Sequence, residues 1–367
     1  MLLLRAPVVV DELEEEVVLP GGCDYFVYRP GDPPSLRLIP NPEPYLFLDA
    51  DVCILPRGHG GGDEPYTIAA LVDAAELNKY EFCLFDSEAW SWSSRTVSMA
   101  APRRPYPVKI PNNAVRLHHH ATSTVIALGG EAATMGWVDL WSGILLYDLL
   151  GGGDLRHMPL PLPMYAITFN HGLGVELGDP RGVRGIAAVA MDGGKASCLM
   201  FAELRLNWEC LPHTDIETRI PAFVSHGWTL TLWSNTNMAA AAESSSSFVD
   251  WHEDFTVRAA EVKIGDAVRS ELLGSGLLHR KPSRHGEGAT ELALQNLFVS
   301  HPAPSLNGEA DVVYVLARPK YLYHKVWALA LDMRSGTLVG VAEFGIENER
   351  CGGVTYHPST MSSYMSC

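Results

Sequence analysis

Ile144-Leu145-Leu146-Tyr147-Asp148, followed by the turn Gly151-Gly152-Gly153 and then Leu155-Arg156-His157-Met158-Pro159, is the stretch on which the fold reading turns. An apolar strand ends in an acid, glycines reverse the chain, and a second strand runs into proline. The unit recurs loosely. Phe82-Cys83-Leu84-Phe85-Asp86 precedes Trp90-Ser91-Trp92, and Cys198-Leu199-Met200-Phe201-Ala202-Glu203 precedes Trp208. Trp327-Ala328-Leu329-Ala330-Leu331-Asp332 precedes Ser335-Gly336 and then Leu338-Val339-Gly340-Val341-Ala342. A lone hairpin cannot bury both faces, so repeated hairpins must stack or close around an axis.

Elsewhere the chain is cut into short apolar runs by Gly, Pro, Asp and Asn, and helical periodicity is nearly absent. Only Ile68–Asn78 has the Ala/Leu/Glu content of a helix, and it sits between runs that read better as strands. The fold class expected is all-β and β-propeller-like, with blades of short antiparallel strands. Six blades fit, at about 22–56, 66–100, 115–160, 164–212, 220–265 and 290–345, with seven as a variant and two β-sandwiches as the rival architecture. Trp and Tyr of the second hairpins are expected to seal neighbouring blades, each buried ring contributing about 2–3 kcal/mol.

The chain has 367 residues, longer than the roughly 250–300 at which one core stops growing, which calls for two domains or a repeating fold. The organisation expected is an acidic tail over 1–21, a single propeller-like domain over 22–367, and a disordered Ala/Ser insertion near 239–249. Met1-Leu2-Leu3-Leu4-Arg5 gives way to the acidic run Asp11–Glu16 without a cleavage-like segment, and is read as an uncleaved tail. With 27 Lys plus Arg against 43 Asp plus Glu, the formal charge of −16 repels phosphate backbones and anionic lipid. Neither nucleic acid nor a membrane is therefore an expected partner. Seven cysteines form no Cys-x-x-Cys pair, and Cys53, Cys83 and Cys198 lie inside apolar runs, which suits a reducing compartment, cytosol or nucleus.

Several constellations invite chemistry. His118 and His120 of His118-His119-His120 share one face of a strand, so zinc is conceivable, but no spacing supplies further ligands and a partly exposed strand or loop is the better reading. Asp250-Trp251-His252-Glu253-Asp254 reads as turn acids with a packing Trp, its acids too close in sequence for a glycosidase pair. Ser225-His226-Gly227 lacks the nucleophile elbow, and Gly178–Gly182 and Gly151–Gly153 lack the end of a phosphate loop. The basic loop His279–Glu291 is read as an exposed connection that limits self-repulsion.

One run is more specific. Gly136-Trp137-Val138-Asp139-Leu140-Trp141-Ser142-Gly143-Ile144-Leu145-Leu146-Tyr147-Asp148, with the following Leu155–Pro161, closely resembles the signature of domain-of-unknown-function family 1618. Gly227-Trp228 through Trp233, Asp250–His252, Asp311–Tyr314, Trp327–Met333 and Gly340–Phe344 resemble its later segments, so the likeness spans roughly 23–360. The family's pattern commonly has Arg where Ser142 stands, a position without an assigned role. The resemblance implies a plant protein of a family expanded in grasses and a propeller-like fold similar to F-box-associated domains. It implies no catalytic residue, cofactor or substrate, and the only residues marked out are structural: Gly136, Trp137, Asp139, Trp141, Gly143 and Asp148.

Strand alternation places Trp137, Asp139 and Trp141 on one face if no bulge intervenes. A buried Asp139 is then expected to receive indole or backbone N–H bonds and to tie adjacent strands or blades together. The function expected is non-catalytic binding of a protein or peptide through loops at one rim, with an unidentified protein as partner and no cofactor. The alternative is a small-ligand binder or hydrolase working in a central channel. Converging His, Asp and Glu favour the second, and exposed aromatics on loops favour the first.

Overall fold

Burial patterns along the strands explain which runs became central. In the computed structural model the described residues are 2–7, 23–29, 33–57 without 46 and 49, 65–99 without 75 and 77, 106–129, 133–191, 196–236, 251–278, 294–306 and 311–344. They form five mainly antiparallel sheets, none closed on itself, grouped in two units. The expected insertion near 239–249, the acidic run 11–16 and the basic loop 279–291 lie outside the described residues.

The first unit holds three sheets. β1 (Leu2–Pro7), β2 (Cys23–Arg29) and β3 (Ser35–Ile39) form one, in that order. β4 (Val52–Pro56), β5 (Tyr66–Asp73), β6 (Lys79–Asp86) and β7 (Ser91–Ser98) form a meander. β8 (Thr124–Gly129), β9 (Thr134–Asp139), β10 (Gly143–Asp148) and β11 (Arg156–Pro159) form another. β5 shows why its sequence lacks polar alternation: Ile68 and Ala70 join a cluster with Tyr25, Val27 and Ile39, whereas Ala69 and Leu71 join one with Met135, Trp137 and Leu145. A strand covered on both faces reads as a continuous apolar run. That resolves the part Ile68–Asp73 of the helix-like stretch as strand.

In the second unit β12 (Arg184–Met191), β13 (Ala196–Thr214), β14 (Pro221–Asn235) and β15 (His252–Arg258) pair consecutively. The other sheet contains β16 (Lys263–Ile264), β17 (Phe298–Pro304), β18 (Val312–Arg318), β19 (Val326–Asp332) and β20 (Thr337–Phe344), in the order β16-β20-β19-β18-β17, with β16 parallel to β20. Leu204, Trp228, Leu230 and Leu232 share a core with Val313, Val315, Trp327 and Leu329. At Gly185 a Cβ would stand 1.8 Å from the Pro302 carbonyl oxygen, so only glycine lets β12 approach β17 there.

Three expectations need correction. The stretch read as a tail opens with a strand, because Leu2–Pro7 pairs in register with Cys23–Tyr28 and Leu3 packs on the first cluster. The blades read at 164–212 and 220–265 are one sheet, because β13 and β14 run on as a long hairpin of 19 and 15 residues. Two helical segments were missed, Met164–Gly172 (α1) and Asp266–Ser275 (α2), each short and each with one buried residue, Ile167 and Leu272. No helix among the described residues is long and apolar enough to cross a membrane.

The acids that close the repeating unit have a local cause. The Asp86 carboxylate accepts from the Glu88 and Ala89 N–H groups, and that of Asp332 from the Arg334 and Ser335 N–H groups. Each is an Asx turn that stops the strand. Glu203 departs from the pattern, standing within β13 where it pairs with the buried Arg184, Nε to Oε1 3.1 Å.

Candidate functional site

The strongest sequence motif builds the β9–β10 hairpin. Asp139 is the last residue of β9, opposite Gly143, and Leu140-Trp141-Ser142 make the turn. Its carboxylate is fully buried and accepts from the Trp141 N–H at 2.9 Å through Oδ1 and the Ala121 N–H at 3.0 Å through Oδ2. The expected face of two indoles around a carboxylate does not form, because the strand ends at Asp139 and strand alternation stops before Trp141. Trp137 instead donates its indole N–H to the Asp51 carbonyl at 2.8 Å, reaching from β9 to the segment before β4.

The glycines are spacers. A Cβ on Gly136 would lie 2.8 Å from Ile144 Cγ2, and one on Gly143 would lie 2.5 Å from the Met158 carbonyl oxygen. Asp148 accepts from Thr134 Oγ1 at 2.6 Å and pairs with Arg156 at 2.8 Å, clamping β9 and β11 across β10.

These bonds hold the two walls of a cleft of about 230 Å³ in the first unit. Asp51, Asp73, Tyr80, His120 and Thr122 supply its polar groups. Trp137 fixes the Asp51 backbone and Asp139 that of Ala121, between His120 and Thr122. His120 is nearly buried, with Nε2 3.4 Å from Thr122 Oγ1 and its ring edge-on to Tyr80. His118 ends a 3-10 turn over Asn112–His118 and meets Tyr106 edge-on, so the two histidines do not share a strand face. Among the described residues, no group of three or more His, Cys, Asp or Glu is placed to hold a metal ion. Burial pushes the Cys53 and Cys83 thiols up to about 12, and raises that of Cys198. At neutral pH none of these three is a thiolate nucleophile.

The remaining constellations resolve into structure. Ser225 Oγ donates to the Gln295 carbonyl at 2.8 Å, while His226 faces Glu209. Trp251 packs on Phe201, His252 pairs with Asp254 at 2.8 Å, and Glu253 accepts from Thr256. Gly152 and Gly153 take positive φ in a turn closed by the Gly152 N–H on the Asp148 carbonyl. Asp179 caps the Pro180–Gly182 turn through the Arg181 N–H.

The second unit carries a feature that sequence reasoning misassigned. Trp208, expected as a buried seal, is 43% exposed. It stacks on Phe223 at 5.2 Å and stands 5.1 Å from Tyr321 and 6.3 Å from Phe298, which makes a four-ring surface from β13, β14, β17 and the loop after β18. Val224, Leu322 and Ile216 are exposed apolar neighbours along the same hairpin and loop. Lys320 pins the hairpin tip to that loop through Asp215 and Glu217. The Asp215 carboxyl is held down at about 2 by the Thr218 N–H and by Lys320. Arg318 lies directly opposite Phe298 in register, hence on the same face. Its Nε is buried and has no hydrogen-bond partner among the described residues, and burial lowers the pKa of the guanidinium, with Tyr321 beside it. No local pattern in the sequence marks these rings, which come from positions 208, 223, 298 and 321.

Residues 137–314 match the family model described as Protein of unknown function (DUF1618). No curated protein matches the chain.

Proposed function

The chain belongs to the DUF1618 family, and on that premise we propose that it is a non-catalytic peptide-binding module whose sheets act as propeller-like blades. The binding surface is the ring cluster Trp208, Phe223, Phe298 and Tyr321, and the occupant is a short segment of another protein that offers an apolar side chain beside a carboxylate. The observation that carries this reading is the pairing of partly exposed aromatic rings with a guanidinium whose buried Nε has no hydrogen-bond partner among the described residues. Solvent-facing aromatics contribute most to association where a pocket dries them, and a half-buried guanidinium with an unbonded Nε gains from acquiring an anion. The free thiols of Cys83 and Cys198, both buried, support the cytosol or nucleus as the place of action.

Selection of a random dodecamer display library on the full chain tests the proposal. The expected result is enrichment of peptides that join Leu or an aromatic to Asp or Glu, with affinity lost in Trp208→Ser and in Arg318→Leu. No enrichment, or enriched peptides that bind Trp208→Ser as tightly as the parent, overturns it.

The cleft around Asp51, Asp73, Tyr80 and His120 favours a second reading, binding of a small cationic or polyhydroxy molecule, since its polar lining is rich in acceptors. A thermal-shift screen with such compounds supports this if the stabilisation disappears in Asp73→Asn, and opposes it if nothing stabilises the parent chain.

A further inference from the structure

The strand register of the second unit lines up a second set of groups. Arg205 on β13 is directly opposite Thr229 on β14, and Thr229 is directly opposite Arg258 on β15. Laterally paired residues point to the same face, so the three side chains stand in a row across three strands. With strands about 4.8 Å apart, the two arginines are rooted about 10 Å from each other with a hydroxyl between them.

Two residues along that face, Asn207 is paired with Gly227, where no side chain fills the space. The register then shifts between Asn207 and Trp208, whose partner is Ser225, so that His226 is left between paired positions. The result is a cleft of about 510 Å³ whose lining includes Arg205, Arg258, His226, Asn207, Gln295 and Tyr165. That volume is in the range of small-molecule sites.

Among the described residues the lining contains two arginines and amides but no carboxylate, on a chain whose net charge is −16. The acids that touch these side chains stand outside the cleft. Glu203 reaches Arg205 at 3.4 Å while its other oxygen serves Arg184, and Glu261 reaches Arg258 at 3.1 Å. Glu209 meets His226 at 3.2 Å. One nitrogen of each guanidinium is engaged in these contacts, which leaves several of the five N–H donors of each fork for a ligand.

We propose that this Arg205–Thr229–Arg258 row is a binding site for the phosphoryl group of a small organic phosphate. A tetrahedral dianion suits two guanidinium forks with a hydroxyl between them, because each fork donates two parallel charge-assisted bonds. The cleft exceeds what a bare phosphate fills, and the half-exposed Tyr165 ring gives the organic part an aromatic surface. The site is independent of the peptide-binding reading, since none of the four clustered rings lines it.

Titration calorimetry of the full chain with phenyl phosphate and, separately, inorganic phosphate tests the assignment. Both are expected to bind saturably and to compete, with phenyl phosphate the tighter. Arg205→Gln and Arg258→Gln are each expected to weaken phenyl phosphate by about tenfold or more. Arg334→Gln, which removes an exposed arginine paired with Asp311 outside the cleft, is expected to leave the affinity unchanged. Both cleft arginines have largely exposed side chains, so folding should persist, and an unaltered circular dichroism spectrum verifies it. Absence of saturable binding up to about 10 mM overturns the proposal. So does an equal loss in all three variants, which would report overall charge rather than a site.

Discussion

Replacing Asp139 with Ala removes an acceptor shared by two backbone N–H groups, those of Trp141 and Ala121. An orphaned buried donor costs about 1–3 kcal/mol. Trp141 is buried, so its N–H belongs near the top of that range, whereas Ala121 is exposed and water can recover part of its bond. The sum is about 3 kcal/mol, a large share of the 5–15 kcal/mol that a folded domain typically holds. At about 2–4 °C per kcal/mol, the melting temperature should fall by about 6–12 °C. Asp139→Asn is expected to fall between, since its one carbonyl can serve a single donor while its amide confronts the other. Thermal melts followed by far-ultraviolet circular dichroism, at matched protein concentration, measure the effect. A shift for Asp139→Ala below about 2 °C would refute the reasoning, because it would mean that the hairpin does not depend on its buried carboxylate.

Three further outcomes follow from named contacts. Gly185→Ala should destabilise the second unit severely, since its Cβ would meet the Pro302 carbonyl oxygen at 1.8 Å, while Gly178→Ala, with open space around it, should melt within about 1 °C of the parent; equal melting of the two variants would contradict the close approach of β12 to β17. Iodoacetamide at pH 8 should label the exposed Cys210 in the native chain but spare Cys53 and Cys83, whose thiols titrate at about 12, and peptide mass spectrometry reads the pattern. Asp215 should titrate by NMR with a midpoint at about 2 rather than the ordinary carboxylate value of about 3.9. Because its folded pKa is depressed, its contribution to the hairpin tip is present above about pH 4 and is lost as pH falls through about 2; a midpoint near 4 would mean that the Thr218 and Lys320 contacts are not formed.

What could be read from sequence follows the range of the interaction involved. The turn acids Asp86 and Asp332 act on residues two and three positions on, so the strand–acid–turn unit showed itself directly. Asp139 was recognisable as a buried carboxylate with N–H partners, but which N–H groups was not, since Ala121 arrives from 18 residues away. Trp137 was legible as a packing residue and its bond to Asp51, 86 residues distant, was not. Helix α2 was missed because a single buried leucine, Leu272, gives no periodic stripe to detect.

By itself, the sequence determined an all-β chain of strand–turn–strand units and its kinship with the DUF1618 family, because alternation, turn residues and a contiguous motif are all local properties. Tertiary structure alone decided which strands share a sheet, that Trp208 faces solvent rather than a core, and that Arg205, Thr229 and Arg258 stand abreast. Register and the covering of a strand's second face depend on partners far away in the chain. A tryptophan or an arginine looks the same in a string of letters whether a neighbouring sheet covers it or leaves it bare.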